Sequence, residues 1–274
     1  MTEEKSMAPY SGRLLDRVRQ AIRVKHYSPK TEKTYVAWIR RFILYHGKRH
    51  PQEMGKQEIE AFLSYLAVTR KVAASTQNQA LNALLSLYRT VLDKELDEPI
   101  NAVRAKRPRR LPTVLTRQEA QQVIDPMAGP TQSVVKLLYG CGLRLMECLR
   151  LRIKDVDFAR GEITVRDGKG MKDRVTMLLT SVVSVLQEHL RRVKAIHQQD
   201  LAQRRGRVAL PFALARKYPH ANQEWGWQYV FPATGHYQDA ENGEWRRHHL
   251  HETCVQKAVR KKAYTFSKCE RPPI

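Results

Sequence analysis

Long apolar runs, paired cysteines and acidic side chains are all scarce in this sequence of 274 residues. No run of about 18 apolar residues occurs, so we expect no membrane-spanning helix. Residues 1–13 are polar and lack the apolar stretch of a secretory signal peptide, so we expect a cytoplasmic protein. The four cysteines, Cys141, Cys148, Cys254 and Cys269, include no Cys-x-x-Cys pair, and their spacing indicates neither a zinc ribbon nor a disulfide framework. We predict reduced thiols that are mostly buried.

The shortage of acidic residues leaves a large positive charge. Lys and Arg number 49 against 27 Asp and Glu, a formal net charge of +22. Such an excess repels itself unless a polyanion neutralises it. Nucleic acid is the favoured partner, because Lys and Arg replace the counterions condensed on phosphates. An anionic membrane surface is less favoured, since no predicted helix combines a large apolar face with a Lys-lined polar face.

Apolar spacing predicts a helical domain over residues 12–96. Ser28 followed by Pro29 is typical of a helix start. One predicted helical face carries Tyr35, Trp38, Ile39 and Phe42, and two further faces follow it. Polar amides and Arg on the outer side of the third helix suit base edges and phosphates, although an ordinary solvated face would look the same. The DNA-binding candidates of this domain are Lys30, Gln77, Asn78, Asn82 and Arg89.

Residues 97–115 have neither a helical nor a strand period and are predicted to form an extended basic linker. Charge runs are usually only solvated. Between two domains of one basic chain, contact with phosphate is the favoured interpretation. Its DNA-binding candidates are Arg104, Arg107, Arg109 and Arg110.

A second domain is predicted over residues 116–263. Thr116 and Glu119 have the spacing of a capping box, and helical periodicity follows. The period then changes to two in 162–166 and 174–178, which flank a Gly-rich turn. The expected fold class is therefore mainly α with a small antiparallel β-sheet.

Two motifs in this domain point to a family. The first is LYGCGLRLME at 138–147, and the second is GKGMKDR at 168–174. In this order, behind a helical domain and a basic linker, they resemble the tyrosine recombinase (phage integrase-like) family. The resemblance implies a SAM-like core-binding domain followed by an α+β catalytic domain, with Arg144 and Lys169 as catalytic residues. Glu147 lies one helical turn after Arg144 and is expected to orient its guanidinium.

The neighbouring residues of the second motif are assigned by the same resemblance. Lys172 and Arg174 are DNA-binding candidates, and Lys172 competes with Lys169 for the role of functional lysine. In this family a Tyr attacks a phosphodiester and forms a 3′-phosphotyrosine link. An Arg pair with His stabilises the charge that builds on the phosphate, and a Lys protonates the leaving oxygen. The resemblance implies no metal and no cofactor.

Residues about 196–250 resemble the inserted segment of integron integrases. The similar positions are Ala213-Leu214, Lys217-Tyr218-Pro219, Trp227, Phe231-Pro232 and Arg246-Arg247-His248-His249. This implies recombination of gene cassettes at attachment sites that are folded single strands with extrahelical bases, and self-assembly on DNA in the intact family. Arg246 and Arg247 are DNA-binding candidates. The aromatic residues are either ordinary core or platforms for flipped bases.

The sequence departs from the family after Ala263. The family places a His-x-x-Arg, a His or Trp and the nucleophilic Tyr after the insertion. Matches at His46 with Arg49 and at His189 with Arg192 lie in the wrong places, and Tyr264 has no such motif before it. Residues 264–274 look aperiodic and unrelated. We therefore expect a C-terminally truncated, interrupted gene product that binds DNA without transferring strands.

Three alternatives remain open at this stage. The chain could be a non-catalytic competitor or regulator at attachment sites, or a recombinase completed by a partner chain. A metal site from His248, His249, His251 and Cys254 is less favoured, because no second His or Cys cluster completes a tetrahedral set.

Overall fold

A computed structural model describes residues 12–96, 100–105, 114–168, 172–211, 214–240 and 242–270, with only the backbone for 264–270. It divides the chain into two compact units, residues 1–112 and 113–274. Lys169, Arg107, Arg109 and Arg110 lie outside the described residues, so their predicted roles stay predictions. In the described part of the chain, no helix is both long and apolar enough to cross a membrane.

The first unit is a small helical bundle, as its sequence predicts. Its helices are α1 (Leu14–Val24), α2 (Pro29–Tyr45), α3 (Lys56–Val68) and α4 (Ala74–Ser86), and a π-helical turn, Leu87–Val91, extends α4. The Ser28 hydroxyl accepts the Thr31 N–H at 3.1 Å, which caps α2. Phe42 is fully buried and Trp38 nearly so, and buried residues of α3 and α4 pack around them. The periodicity of the sequence thus fixes which faces form the core.

The second unit begins with three helices, α5 (Arg117–Ile124), α6 (Gly129–Cys141) and α7 (Leu145–Leu149). Thr116 and Glu119 form the predicted capping box of α5. Gly142, at φ +63°, ends α6 in the left-handed region that glycine favours. The chain reverses there and restarts at α7, whose N-cap residue is Arg144.

A three-stranded antiparallel sheet follows, in the order β1 (Val156–Asp157), β2 (Glu162–Val165) and β3 (Arg174–Met177). Val165 pairs with Arg174 at the end of the β2–β3 ladder. The period-two runs in the sequence predict β2 and β3 within one residue. Mostly helical, with small antiparallel sheets, the chain has the predicted fold class.

Two elements depart from the sequence analysis. After α8 (Thr180–Ala202) and the short α9 (Leu214–Lys217), the chain forms an unpredicted hairpin of β4 (Pro232–Gln238) and β5 (Trp245–His249). The last helix, α10 (Glu252–Glu270), continues past Ala263, so the backbone of 264–270 is helical although the sequence there shows no helical periodicity. Val255 of α10 is buried in the core of this unit.

Two of the four cysteines meet the expectation of buried thiols. Cys141 and Cys148 are free and buried, whereas Cys254 is free and exposed. The side chain of Cys269 lies outside the described part. Burial raises the pKa of the Cys148 and Cys141 thiols, which keeps both protonated.

Candidate nucleic-acid interface

Glu147 holds two guanidinium groups with one carboxylate. Its Oε1 accepts Nη1 of Arg144 at 2.7 Å and Nη1 of Arg174 at 3.0 Å. Its Oε2 accepts the Arg144 backbone N–H at 2.9 Å and Nη2 of Arg174 at 2.7 Å. The Glu147 side chain is only 8% exposed, whereas that of Arg144 is 57% exposed. The carboxylate therefore fixes a guanidinium whose remaining donors face solvent.

The Glu147 carboxylate is ionised at neutral and mildly acidic pH. The hydrogen bonds from Arg174 lower its pKa to about 2, burial opposes this, and the bonds from Arg144 add to the lowering. An ionised Glu147 stabilises both cations in fixed positions. The contact with Arg144 is the one expected from the sequence. The DNA contact predicted for Arg174 stays a prediction, although Glu147 accepts two hydrogen bonds from its guanidinium. Arg174 is committed to Glu147, and that hydrogen-bonded pair spans 27 residues.

Gly168 brings the β2–β3 turn against this cluster. A Cβ at this position would lie 2.9 Å from the Lys172 carbonyl oxygen and 3.1 Å from Arg174 Nη1. A Cβ does not normally approach an oxygen or nitrogen atom this closely, so glycine is the residue that fits here without displacing its neighbours. The Gly168 N–H donates to the Lys172 carbonyl at 3.1 Å, and the Lys172 side chain is exposed. The turn that carries the second motif is therefore anchored to Glu147 through Arg174.

A cavity of about 540 Å³ opens beside Arg144. Charged side chains dominate its lining, and cations outnumber carboxylates: Arg144, Arg150, Arg152, Lys154 and Arg166 against Glu147, Asp155 and Asp167. Asp155 is nearly buried and accepts Arg166 Nε at 2.8 Å. The charged side chains of the lining, five cations and three carboxylates, leave an excess of positive charge, which suits a phosphate-bearing ligand.

Flat rings form one wall of this cavity. The Lys154 ammonium lies 3.0 Å from the ring centroid of Trp227, and the Arg152 guanidinium lies 3.8 Å from that of Tyr229. The His248 ring lies 5.7 Å from Tyr229 and 4.0 Å from His249, centroid to centroid. Rings and cations at one site are the two features with which proteins hold unpaired nucleotides.

The two histidines in the wall are neutral near pH 7. Burial lowers the pKa of His249 to about 4, against its hydrogen bond to the Leu250 carbonyl. Burial also lowers the pKa of His248. The exposed His248 imidazole, when neutral, offers a stacking face without adding to the charge of the cavity.

Four cations of this cavity were not among the residues predicted from the sequence. Arg150, Arg152 and Lys154 alternate along one short stretch, and Arg166 follows β2. Arg150 ends α7 and Lys154 lies in the 3-10 turn Ile153–Asp155, so no single period in the sequence places these side chains on one side, and only the density of basic residues was available as a signal. Arg152 is half-buried, and it donates to the carbonyls of Trp227 and Ala209, both at 2.8 Å.

The helical unit has its own polar surface. Lys30, Asn78 and Asn82 line one shallow cleft of about 550 Å³ between α2 and α4. The structure thus brings together three of the five candidates of this unit. Arg89 and Arg104 are exposed but do not line the cleft.

Gln77 is not available to DNA, so its prediction is wrong. The residue is 1% exposed, and its Nε2 donates to the carbonyls of Leu63 at 2.9 Å and Val103 at 2.6 Å. Its Oε1 accepts the Ala105 N–H at 2.9 Å. Gln77 shares the apolar face of α4 with Ala80 and Leu84, at spacings of three and seven residues, so it packs inward.

The prediction that Arg246 and Arg247 contact DNA is also contradicted. Their side chains are only 17% and 12% exposed. Arg246 pairs with Asp239 and Glu244 inside the β4–β5 turn, and Arg247 pairs with Asp200 of α8. Internal carboxylates neutralise both guanidinium groups, which leaves neither free for phosphate.

Both rejected His-x-x-Arg matches have structural partners. Nε2 of His46 lies 3.0 Å from the Glu58 carbonyl oxygen, and Nε2 of His189 lies 2.8 Å from that of Val230. Among the described residues, no group of three or more His, Cys, Asp or Glu side chains has a metal-binding arrangement.

Comparisons with known proteins agree on one family. The family described as "Phage integrase, N-terminal SAM-like domain" matches residues 14–98, and "Phage integrase family" matches residues 113–268. An "Integrase/recombinase" of Escherichia coli is 46% identical over 251 residues, which cover 92% of this chain and 74% of that protein. "Tyrosine recombinase XerA" of Thermococcus kodakarensis is 37% identical over 153 residues, covering 54% of this chain and 51% of the relative.

Solved structures share the fold. A XerH site-specific recombinase bound to its difH substrate has a TM-score of 0.54 at 18% identity, over 94% of this chain and 70% of that one. The Tn1549 transposon integrase in complex with circular intermediate DNA has a TM-score of 0.56 at 14% identity, over 96% and 81%. With both family models matched in order along the sequence, the chain belongs to the phage integrase family of site-specific tyrosine recombinases, with an N-terminal SAM-like domain.

Proposed function

We propose that this chain binds integron attachment sites as an integron integrase-like tyrosine recombinase and that, on its own, it does not transfer strands. The observation that carries the DNA contact is the fixed, exposed Arg144 beside a cavity of cations and flat rings. Its solvent-facing donors suit a phosphodiester, because a guanidinium matches phosphate with two parallel hydrogen bonds.

The proposed grip combines several residues around the phosphate. Arg144 contacts a non-bridging oxygen, and Glu147 holds that guanidinium. Lys169 or Lys172 is the candidate to protonate the leaving oxygen if a partner chain supplies the tyrosine that displaces it. Lys30, Asn78, Asn82, Arg89 and Arg104 would contact the flanking duplex from the helical unit and the segment after it. The linker cations Arg107, Arg109 and Arg110 complete this proposal from the sequence alone.

Folded single strands are the proposed form of the DNA. Trp227 and His248, neither of which is buried, bring rings to the cavity, and an extrahelical base can stack on such a ring face. A fully paired duplex offers no base to this wall without paying the cost of flipping one out. The chain would therefore prefer hairpins with unpaired bases. Self-assembly on DNA remains part of this proposal.

Inactivity of the chain alone is supported by the residues it has. The two His-x-x-Arg matches, beginning at His46 and His189, use their imidazoles on backbone carbonyls. A single fixed Arg without a second Arg and His lacks part of the transition-state clamp. A partner chain that supplies these groups, or a regulatory role without catalysis, are the alternatives.

One experiment tests the proposal. The chain is incubated with a labelled, folded attachment-site hairpin, and both native complexes and denaturant-resistant covalent bands are measured. We expect a retarded complex without a covalent band, and a covalent band only if a partner chain completes the site. A covalent band from this chain alone would refute inactivity, and no complex at low salt would refute DNA binding.

Matched variants make the binding result specific. Arg144→Gln should weaken the complex by about tenfold, since it removes a charge-assisted contact. Arg160→Gln removes the same charge from a residue whose side chain is 77% exposed and lies outside the cavity lining. It should leave the affinity within about twofold. Equal losses in the two variants would mean that only overall charge matters.

A further inference from the structure

A buried ion pair fastens the β4–β5 hairpin to helix α8. Asp200, which is 5% exposed, accepts Nε of Arg247 at 2.7 Å and Nη2 at 2.8 Å. His236 Nε2 lies 3.1 Å from the same carboxylate. Burial raises the pKa of Asp200, but the Arg247 guanidinium outweighs burial and holds that pKa below its usual range. A carboxylate desolvated to this degree is stable only with its cation in place.

The same guanidinium fixes an irregularity in the hairpin. Pro232 pairs with His249 and His236 pairs with Arg247, so residues 233–235 of β4 face the single residue His248 of β5. Extra residues of this kind leave ladder carbonyls without partners. Arg247 Nη1 donates to two of these carbonyls, at 2.6 Å to Ala233 and 2.9 Å to Thr234. One side chain therefore sets the shape of the bulge and its distance from α8.

The bulge lies directly opposite a wall of the basic cavity. His248, the residue that faces it, lines the cavity with His249 and with Arg144. Arg247 itself does not line the cavity, and its backbone N–H donates to the Arg207 carbonyl at 2.9 Å. The position of the His248 ring in the cavity lining thus depends on an ion pair that does not itself line the cavity.

We propose that Asp200 and Arg247 are positioning residues that determine the preference for extrahelical bases. They hold the β4–β5 bulge so that the His248 ring forms a stacking wall of the cavity. The inference rests on the proposed function, because it presumes that a base enters this cavity. It goes further in assigning specificity to two residues that do not touch the ligand.

The test compares two hairpins that differ by one base. One carries an extrahelical 2-aminopurine and the other lacks that nucleotide. Anisotropy titrations with the full chain give both dissociation constants, and quenching of 2-aminopurine reports stacking. The wild type should bind the first hairpin at least about tenfold tighter, since stacking one base on an aromatic side chain has roughly that effect.

The variants are Arg247→Lys, Asp200→Asn and the matched control Arg246→Lys. Arg246 is the neighbouring residue on β5, and it pairs within the hairpin turn instead of with α8. We expect the first two variants to lose about tenfold in preference and most of the quenching, with affinity for the second hairpin within about twofold of wild type. Arg246→Lys should keep both preference and quenching.

The outcomes separate the two levels of inference. If wild type shows no preference and no quenching, the proposed function fails and the positioning role fails with it. If wild type shows both and the two variants retain them, only the positioning role is refuted. If a variant loses affinity for both hairpins equally, the ion pair acts on folding alone, which also refutes the positioning role. Circular dichroism checks folding, and should one variant not fold, the other still decides.

Discussion

Replacing Glu147 by Gln should separate the two guanidinium groups that this carboxylate holds. The substitution preserves the shape of the side chain but removes the charge that Arg144 and Arg174 share. Gln has one carbonyl oxygen where Glu147 has two, and four hydrogen bonds converge on those two oxygens. The amide NH₂ that replaces the other oxygen would face a guanidinium donor, which costs stability beyond the lost attraction.

The magnitude follows from the carboxylate's pKa. Its fall from 4.5 to about 2 is equivalent to about 3 kcal/mol. Solvent screens part of this, because the partner side chains are 57% and 36% exposed. We therefore expect Glu147→Gln to lower the free energy of unfolding by about 2 kcal/mol at pH 7.

The pH dependence gives the effect a signature. A carboxyl whose folded pKa is depressed stabilises the fold fully above its unfolded pKa, and loses this as the pH falls through the folded value. The difference between wild type and Glu147→Gln should therefore be constant above about pH 5 and shrink between pH 4.5 and about 2.

Urea denaturation at several pH values, followed by tryptophan emission, measures this difference. Three of the four tryptophans, Trp225, Trp227 and Trp245, lie in the second unit and report its transition. Glu162→Gln is the matched control, because Glu162 is exposed on β2. A Glu147→Gln variant as stable as wild type at pH 7, or a difference as large at pH 3 as at pH 7, would refute the reasoning.

Three further predictions concern stability. Gly168→Ala should destabilise the second unit by roughly 1–3 kcal/mol in urea melts, because its Cβ would lie 2.9 Å from a backbone oxygen. Gly235→Ala is the control, since a Cβ there would have no other atom within 4 Å, and it should not destabilise the unit. Equal effects of the two substitutions would count against the close approach at Gly168. Gln77→Ala should lower the unfolding free energy of the helical unit by about 2 kcal/mol in urea, because the Leu63 carbonyl loses the hydrogen bond from Gln77. Asn82→Ala should weaken DNA binding without changing that urea transition. The reverse pattern would contradict the assignment of Gln77 to the core and Asn82 to the DNA contact. Because His249 must stay neutral, its contribution to the unfolding free energy should fall by up to about 3 kcal/mol as the pH drops from 6.5 to about 4. A His249→Gln variant should show a smaller fall than wild type, and a variant with the wild-type pH profile would exclude His249 as a source of the fall.

Local signals in the sequence account for much of the fold. The helix start at Ser28 and the capping box at Thr116 could be predicted because a cap depends on residues three positions apart. The glycine at 142 also predicts the end of α6, because glycine favours the left-handed φ that is found there. The site around Arg144 could also be located from the sequence, because Arg144 and the Gly-rich turn after it both lie in short motifs.

Long-range partners explain what the sequence did not reveal. The β4–β5 hairpin depends on Asp200, which lies 47 residues before Arg247, and no local pattern predicts that pairing. For the same reason, the sequence did not reveal that carboxylates far along the chain hold Arg247 and Arg174. Helix α10 extends past Ala263 because the first helix-breaking prolines after that point lie beyond Glu270.

The central claim is that the cations around the cavity beside Arg144 contact DNA phosphates, and the salt dependence of hairpin binding tests it most directly. The measurement is the slope of log affinity against log salt for wild type, for Arg150→Gln with Lys154→Gln, and for a control pair on the exposed face of α8, Arg191→Gln with Arg192→Gln. We predict that the cavity variant reduces the slope by about two, since each phosphate contact contributes about one, and that the control pair changes it little. An unchanged slope in the cavity variant, or an equal reduction in the control pair, would contradict the claim.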